Sequence, residues 1–288
     1  MSKVLVTGSS GFLGKRFVKK LEELGHIVIP YDILTGQNLM NFQQLEETIK
    51  ESDIVFHLAA QANLNFLKER PYDGTILNVG CTHNVAHLCS KYKKWLVYIS
   101  TVCVYGNQKI EPTTEESLPN PGEIYACTKL ASEWIVRGYG ITYDMPFTIL
   151  RVPTMHGEEM RKELGVRLFI EKALRGEPIP VHGNGEQVRT LTYVDDVVEA
   201  MIAVIGNPNA KDAIINITTN EMISANKMAE DIRDLVGNVQ IIHIEQRQNQ
   251  TMKENFDTTK AREVLNWEAK TSWRDGLIKT IEWIKTQI

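Results

Sequence analysis

The run ISTVCVYG at residues 99–106 ends an apolar strand on two hydroxyls and a thiol, those of Ser100, Thr101 and Cys103, before a glycine. About twenty residues later, EIYACTK sets Tyr125 and Lys129 four positions apart. On a helix that interval places both side chains on one face. A phenol with a pKa near ~10 is a poor base at neutral pH until a nearby cation stabilises its phenolate. Lys129 can supply that cation and can also hydrogen-bond the ribose of a nicotinamide cofactor. A tyrosine and a lysine at this spacing also occur on solvated helix faces, so the pair gains its meaning from what precedes it.

What precedes it is VLVTGSSGFLGKRFVKKLEELG, which reads strand, glycine turn, helix. Gly8, Gly11 and Gly14 allow a tight turn, a close approach of backbone N–H groups to a pyrophosphate, and close packing of helix on sheet. Eighteen residues beyond Gly14, Asp32 closes the second apolar run. A carboxylate there accepts hydrogen bonds from ribose hydroxyls and repels a 2′-phosphate. No Arg or Lys follows until Lys50, so NAD is favoured over NADP.

These groups need a scaffold, and the apolar pattern supplies it. Short apolar runs at 3–7, 26–32, 53–59, 95–100 and 145–151 alternate with helical stretches near 11–24, 42–51, 75–92 and 123–139. Such alternation predicts a parallel sheet covered on both faces. After RVPTMHG the pattern becomes mixed. Strands are expected near 178–182, 188–194, 212–218 and 239–244, and helices near 166–175, 195–206, 224–236, 258–266 and 274–287. The expectation is a doubly wound α/β domain over 1–157 and a smaller mixed α/β lobe over 158–288, some of whose elements return to the first domain.

Composition narrows the function classes. The 288 residues carry a formal net charge of −4, which leaves no basic field for a nucleic-acid backbone. No run approaches the roughly 18 apolar residues of a membrane span, and the opening MSKVLVTG reads as a strand rather than a leader. Cys81, Cys89, Cys103 and Cys127 form no CxxC pair, and no histidines stand at metal spacing. The expectation is a cytoplasmic protein with free thiols, without metal, membrane or nucleic acid.

Taken together, TGSSGFLG, Asp32, DIVFHLAAQ, ISTVCVYG, YACTK, LRVPTMHG, RGEPIPVHGNGEQVRTLTYVDDV, FDTTKAREVLNW and WRDGLIKTIEWI resemble the extended short-chain dehydrogenase/reductase family, in its sugar-nucleotide epimerase/dehydratase branch. The segments span nearly the whole chain in the family's order. The resemblance implies a Rossmann-type fold that binds NAD through Gly8, Gly11, Phe12, Leu13, Gly14, Asp32, Ile33, Asn38, Leu39, Leu58, Ala59, Ala60, Tyr125 and Lys129. It implies a catalytic set of Thr101, Tyr125 and Lys129, with Tyr125 as the acid/base while hydride passes between sugar carbon and nicotinamide. Ser100, on the opposite strand face, is expected to support the backbone. Thr101, Tyr125 and Thr154 are implied to hold the sugar, and Arg189 and Arg247 the diphosphate. A homodimer is implied through the helices near 75–92 and 123–139, with Ile124, Leu130, Trp134 and Ile135 offering apolar surface.

Several positions depart from the family's pattern. Dehydratases of the branch carry Asp-Glu directly after the threonine, where this chain has Val102 and Cys103. That disfavours dehydration and the related decarboxylation. Cys103 is expected to be filler beside the cofactor rather than a proton carrier. Asn38 replaces the aspartate that contacts adenine, and Thr154 replaces the asparagine of RxxNxxG. The expected activity is C4 epimerisation of a nucleotide-sugar through a transient 4-keto sugar. Two alternatives stand beside it: a 4-keto-sugar reductase or sugar dehydrogenase, and a catalytically inactive NAD-binding regulator.

Overall fold

The computed structural model describes residues 1–246 and 252–288. β1 (Lys3–Thr7) is buried over four of its five residues and leads through the glycine turn into α1 (Phe12–Glu23), whose Leu13, Phe17 and Leu21 point inward at helical spacing. β2 (Ile27–Tyr31) pairs with β1, and α2 (Phe42–Glu51) starts where the Asn41 side chain accepts from the Gln44 amide. β3 (Ile54–His57) is wholly buried. Next come α3 (Leu64–Glu69) and α4 (Pro71–Thr75), and a π turn at Ile76–Gly80 joins α4 to α5 (Cys81–Lys91). β4 (Trp95–Thr101) runs into a 3-10 turn at Val102–Tyr105. α6 (Ile124–Tyr143) and β5 (Phe147–Val152) follow.

The remaining elements are β6 (Thr154–His156), α7 (Gly165–Leu174), β7 (Ile179–His182), β8 (Val188–Tyr193), α8 (Val194–Val204), β9 (Ala213–Asn216), β10 (Met222–Ser224), α9 (Ala225–Val236), β11 (Ile241–Ile244), α10 (Thr259–Leu265) and α11 (Trp273–Lys285). The main sheet has the order β2-β1-β3-β4-β5-β9, with every pair parallel. Successive residues of its strands feed opposite cores. Val4 and Val6 pack with Phe17, Val197, Met201 and Leu265 on one face, and Leu5 packs with Leu45, Ile49, Val85 and Val136 on the other. Each such side chain contributes roughly 1.5–3 kcal/mol by leaving water. A third cluster joins α7, α9 and α11 to β7 and β8 through Ile170, Ile232, Leu277 and Val181.

The fold is therefore the expected Rossmann-type α/β architecture with a smaller mixed lobe. The strand expected over 212–218 forms β9, and it joins the main sheet beside β5. Three-residue strands β6 and β10, and helices α3 and α4, were not expected; they are too short to show a period. On α6, Ile124 and Trp134 stand exposed, whereas Leu130 and Ile135 pack inward, Leu130 against Val102, Val104 and Tyr105 and Ile135 against the core that holds Val85. The apolar outer surface expected of those two is thus reduced. Among the described residues, no helix is long and apolar enough to cross a membrane, and no group of three or more His, Cys, Asp or Glu could hold a metal.

Two buried histidines make the fold acid-sensitive. His57 closes β3 between the hydroxyls of Thr7 (2.7 Å) and Thr82 (3.0 Å), and burial pulls it down to about 3. His156 packs edge-on to Trp273 and is pulled down to about 4 for the same reason. Below the unfolded value of about 6.5 the unfolded chain takes up protons that the native chain refuses, so stability falls as pH falls. Urea melts should lose up to about 2–3 kcal/mol per pH unit between pH 6 and 4. A flat profile over that window would contradict the buried, neutral state of both rings.

Candidate active site

The glycine turn sits at the carboxyl edge of the sheet between β1 and β3, where the chain order reverses. Ligands of doubly wound sheets bind at that crevice. Here it is an open cavity of about 550 Å³. Gly8, Gly11, Asp32, Ile33, Asn38, Leu39, Leu58, Ala59 and Ala60 of the expected set line it. Gly8 has φ +73°, and a Cβ there would lie 2.7 Å from the Ala59 nitrogen, so the floor is bare backbone. Phe12, Leu13 and Gly14 form the first turn of α1, whose N-cap Gly11 provides no side-chain acceptor. Their amides remain available to an anion. Glycine floor, uncapped helix start and Asp32 together fit a dinucleotide.

Asp32 has two structural duties besides. Its Oδ2 accepts from the Ser10 amide and its Oδ1 from the Leu34 amide, each at 3.0 Å, which ties the glycine turn to the second strand. Each carboxylate oxygen keeps a second lone pair for a ribose hydroxyl. Asn38 spends its Oδ1 on the Met40 amide at 2.9 Å, leaving the amide nitrogen to donate. The cavity also has walls that the sequence did not single out, among them Ser10, Tyr31, Gln61, Leu77 and Cys81. Ser10 and Gln61 lie inside quoted motifs and Tyr31 at the end of an apolar run, whereas Leu77 and Cys81 come from a helical stretch with no motif.

Thr101, Tyr125 and Lys129 are not walls of this cavity. They stand farther along the sheet edge, at the end of β4 and the start of α6. Gln61 and Asn78 connect the two regions. The Gln61 amide donates to Asn78 Oδ1 at 2.7 Å, and Asn78 Nδ2 donates to Thr128 Oγ1 at 3.0 Å on α6. Thr101 is buried, and its Oγ1 accepts from the Cys103 amide at 3.2 Å, which leaves the hydroxyl proton to donate elsewhere. Lys129 is buried as well, donates to the Ile99 carbonyl at 2.6 Å, and lies 4.2 Å from the centre of the Tyr98 ring.

One electrostatic expectation is corrected. A lowered Tyr125 pKa, produced by Lys129, was expected. In the protein alone burial raises it, the nearby Cys103 adds to the rise, and Arg161 is the cation that opposes it. Burial also pulls Lys129 down, to about 7, with Glu133 acting the other way. The physical cause is shared: a dry site disfavours both charged forms. Cys103, partly buried, is pushed up to about 12 by burial, so its thiol stays protonated at neutral pH.

Of the residues expected to hold substrate, Thr154 lies half-buried on β6, opposite Leu191 of β8. Arg189 on β8 is already engaged. Its Nη1 donates to the Val188 carbonyl at 2.8 Å, and its Nε lies 3.4 Å from Glu254 Oε1. Glu254 also accepts from the Thr190 amide, and burial raises its pKa. Sequence reasoning missed Glu254, which stands 65 positions from Arg189 and reaches it only through the fold. Arg247 lies outside the described residues. Ser100 supports a side chain rather than the backbone: its Oγ donates to Glu133 at 2.5 Å.

Comparison with known proteins bears on family and fold. Residues 4–218 match the model of the NAD dependent epimerase/dehydratase family. The chain is 29% identical to the UDP-N-acetyl-alpha-D-glucosaminuronate decarboxylase of Bacillus cytotoxicus, with 98% of each chain covered. It superposes on the UDP-glucose 4-epimerase of Thermotoga maritima, solved with UDP-glucose, with a TM-score of 0.93, 28% identity and 99% of each chain covered. It superposes on MoeE5, solved with UDP-glucuronic acid and NAD, with a TM-score of 0.92, 29% identity and coverage of 99% and 100%.

Proposed function

The chain belongs to the NAD dependent epimerase/dehydratase family, and on that premise we propose that it inverts C4 of a nucleotide-diphospho-sugar, with NAD as cofactor. The observation that carries this reading is the end of β4, where Thr101 is followed by Val102 and Cys103 with no carboxylate between them and Gly106. By the resemblance, elimination uses an Asp-Glu pair at that place, and decarboxylation usually keeps its glutamate. Epimerisation at C4 needs only a hydroxyl grip, an acid/base and a reversible hydride acceptor.

NAD supplies the hydride acceptor and donor when bound. The chain's own residues do the rest. Thr101 and Tyr125 hold the C4 oxygen between a hydroxyl and a phenol. Tyr125 takes the hydroxyl proton as C4 is oxidised to the ketone and returns it on reduction of the other face. Lys129, one helical turn from Tyr125, is placed to hydrogen-bond the nicotinamide ribose. Asp32 accepts from the adenosine ribose, and Arg189 reaches the diphosphate of the substrate. A homodimer through α5 and α6 belongs to the same reading, since Ile124 and Trp134 leave apolar surface on α6. Light scattering should give a mass near twice 32.7 kDa; a monomer at micromolar concentration would remove the dimer.

The test is to incubate purified protein with UDP-galactose, UDP-glucose, UDP-GlcNAc and UDP-glucuronic acid without added cofactor. Interconversion of C4 epimers, with no net consumption of NADH, supports the proposal. Turnover only with stoichiometric NADH or NADPH would replace it with a reductase or dehydrogenase. Cys103 enters as packing. Cys103→Ser should leave kcat within a few-fold, and no solvent deuterium should appear at C3 or C5. Loss of about 10²–10⁴-fold together with ring deuteration would make the thiol a proton carrier.

A further inference from the structure

Two rows of groups face each other behind the catalytic hydroxyls. On α6, Tyr125, Lys129 and Glu133 succeed one another at intervals of four, on one helix face. On β4, Ile99, Ser100 and Thr101 are consecutive. The rows are tied together twice: Lys129 Nζ donates to the Ile99 carbonyl at 2.6 Å, and Ser100 Oγ donates to Glu133 Oε1 at 2.5 Å. A third element closes the arrangement. Arg151 on β5, the register partner of Ser100, donates through Nε to Glu133 Oε1 at 3.0 Å and through Nη2 to Oε2 at 2.6 Å. The two side chains are only 2% and 3% exposed.

Burying an ion pair is costly, and apolar residues of similar volume would stabilise a core at least as well. This pair therefore calls for a reason beyond stability, and its neighbour supplies one. Lys129 is a third buried charge, with a carbonyl and a ring face for company. The titratable groups that face it are Tyr125 and Glu133 on its own helix, Tyr98 on β4 and His57 on β3, with Arg151 of β5 reaching it through Glu133. Asn78 and Thr82, from the π turn and α5, are uncharged. Burial keeps His57 neutral and both phenols protonated. Among the described residues, Glu133 is thus the anion in that set.

We propose that Glu133, clasped by Arg151 and Ser100, is a positioning residue whose carboxylate keeps Lys129 charged and whose bond to Ser100 fixes the strand end that presents Thr101. Glu133 is not a wall of the cavity at the glycine turn. It acts through Lys129 and β4, and this role rests on the reading of Tyr125 and Lys129 given above. Glu133 opposes the downward pull of burial on the lysine. Arg151 sets the balance: it holds the carboxylate in place and cancels part of its field.

The two partners carry opposite charge, so the proposal has a signed test. Glu133→Gln keeps the shape and an acceptor but leaves Arg151 uncompensated. The whole pH–rate profile, and the pH midpoint of NADH affinity followed by fluorescence, should move toward acid by about one unit. Arg151→Met leaves the carboxylate unpaired, and both readouts should move toward alkali by about as much. Ser100→Ala, the variant least disruptive to folding, removes one donor from the carboxylate. It should give a smaller alkaline shift, on the order of 0.3–0.5 unit. Unmoved profiles in every variant that folds and binds NADH, or shifts of the same sign for Glu133→Gln and Arg151→Met, would reduce the pair to packing. If the wild-type protein turns over no nucleotide sugar, the functional reading fails by itself, while the NADH midpoints still decide the role of Glu133.

Discussion

Tyr125→Phe should lower kcat by about 10²–10⁴-fold while leaving the NADH dissociation constant within about two-fold. The substitution deletes the oxygen proposed to exchange a proton with the sugar and changes almost no packing. Phe retains the ring, and the hydroxyl makes no hydrogen bond to another described residue that would be stranded. The loss corresponds to roughly 3–5 kcal/mol of transition-state stabilisation. A single-turnover experiment with loaded NAD separates the possibilities, because binding, folding and the Lys129 contact to Ile99 should all survive the change. Activity equal to wild type would eliminate Tyr125 as the acid/base and, with it, the proton route assigned to the site.

Gly14→Ala should abolish useful cofactor binding, with NADH affinity falling by about 10²-fold or more, near 3 kcal/mol. A Cβ at this position would lie 2.1 Å from the Gly8 carbonyl oxygen and 2.9 Å from the Ser9 Cα. Both neighbours are backbone, and neither can rotate away. Relief requires the first turn of α1 to withdraw from the glycine turn, carrying the Phe12 and Leu13 amides with it. The strain should also cost about 1–3 kcal/mol of stability, measurable in urea. Unchanged NADH affinity would mean that the start of α1 does not carry the dinucleotide.

How much of this was legible in the sequence differs from element to element. The strands of the main sheet were legible because each is a continuous apolar run, and a strand buried on both faces leaves that mark. β6 and β10, at three residues each, show no period that could distinguish them from loop. The cavity walls at Gly8, Gly11 and Asp32 were marked in the sequence, where a tight turn or an expected ribose contact asks for one residue type. They were unmarked at Leu77 and Cys81, where any mid-sized apolar side chain would form the wall. Glu133 lies within reach of a sequence argument, one helical turn beyond Lys129, yet its meaning depends on Arg151 and Ser100. Those contacts come from strand register, which no local pattern encodes. The rise in Tyr125 is a burial effect, and burial is set by packing that the spacing of Tyr125 and Lys129 does not show.

β9 leaves one consequence for how the chain must be made. Its four residues pair Ala213–Asn216 with Thr148–Arg151, so the outer border of the first sheet is supplied by chain that emerges some sixty positions later. During synthesis β5 waits with unpaired N–H and C=O groups until that segment leaves the ribosome. The interval favours pairing with another nascent chain. A fragment ending near residue 157 would keep that bare border permanently, and a chimera that exchanges the second lobe must carry a compatible residue 213–216 segment along with it. The two parts of this molecule are separable on paper and interleaved in manufacture.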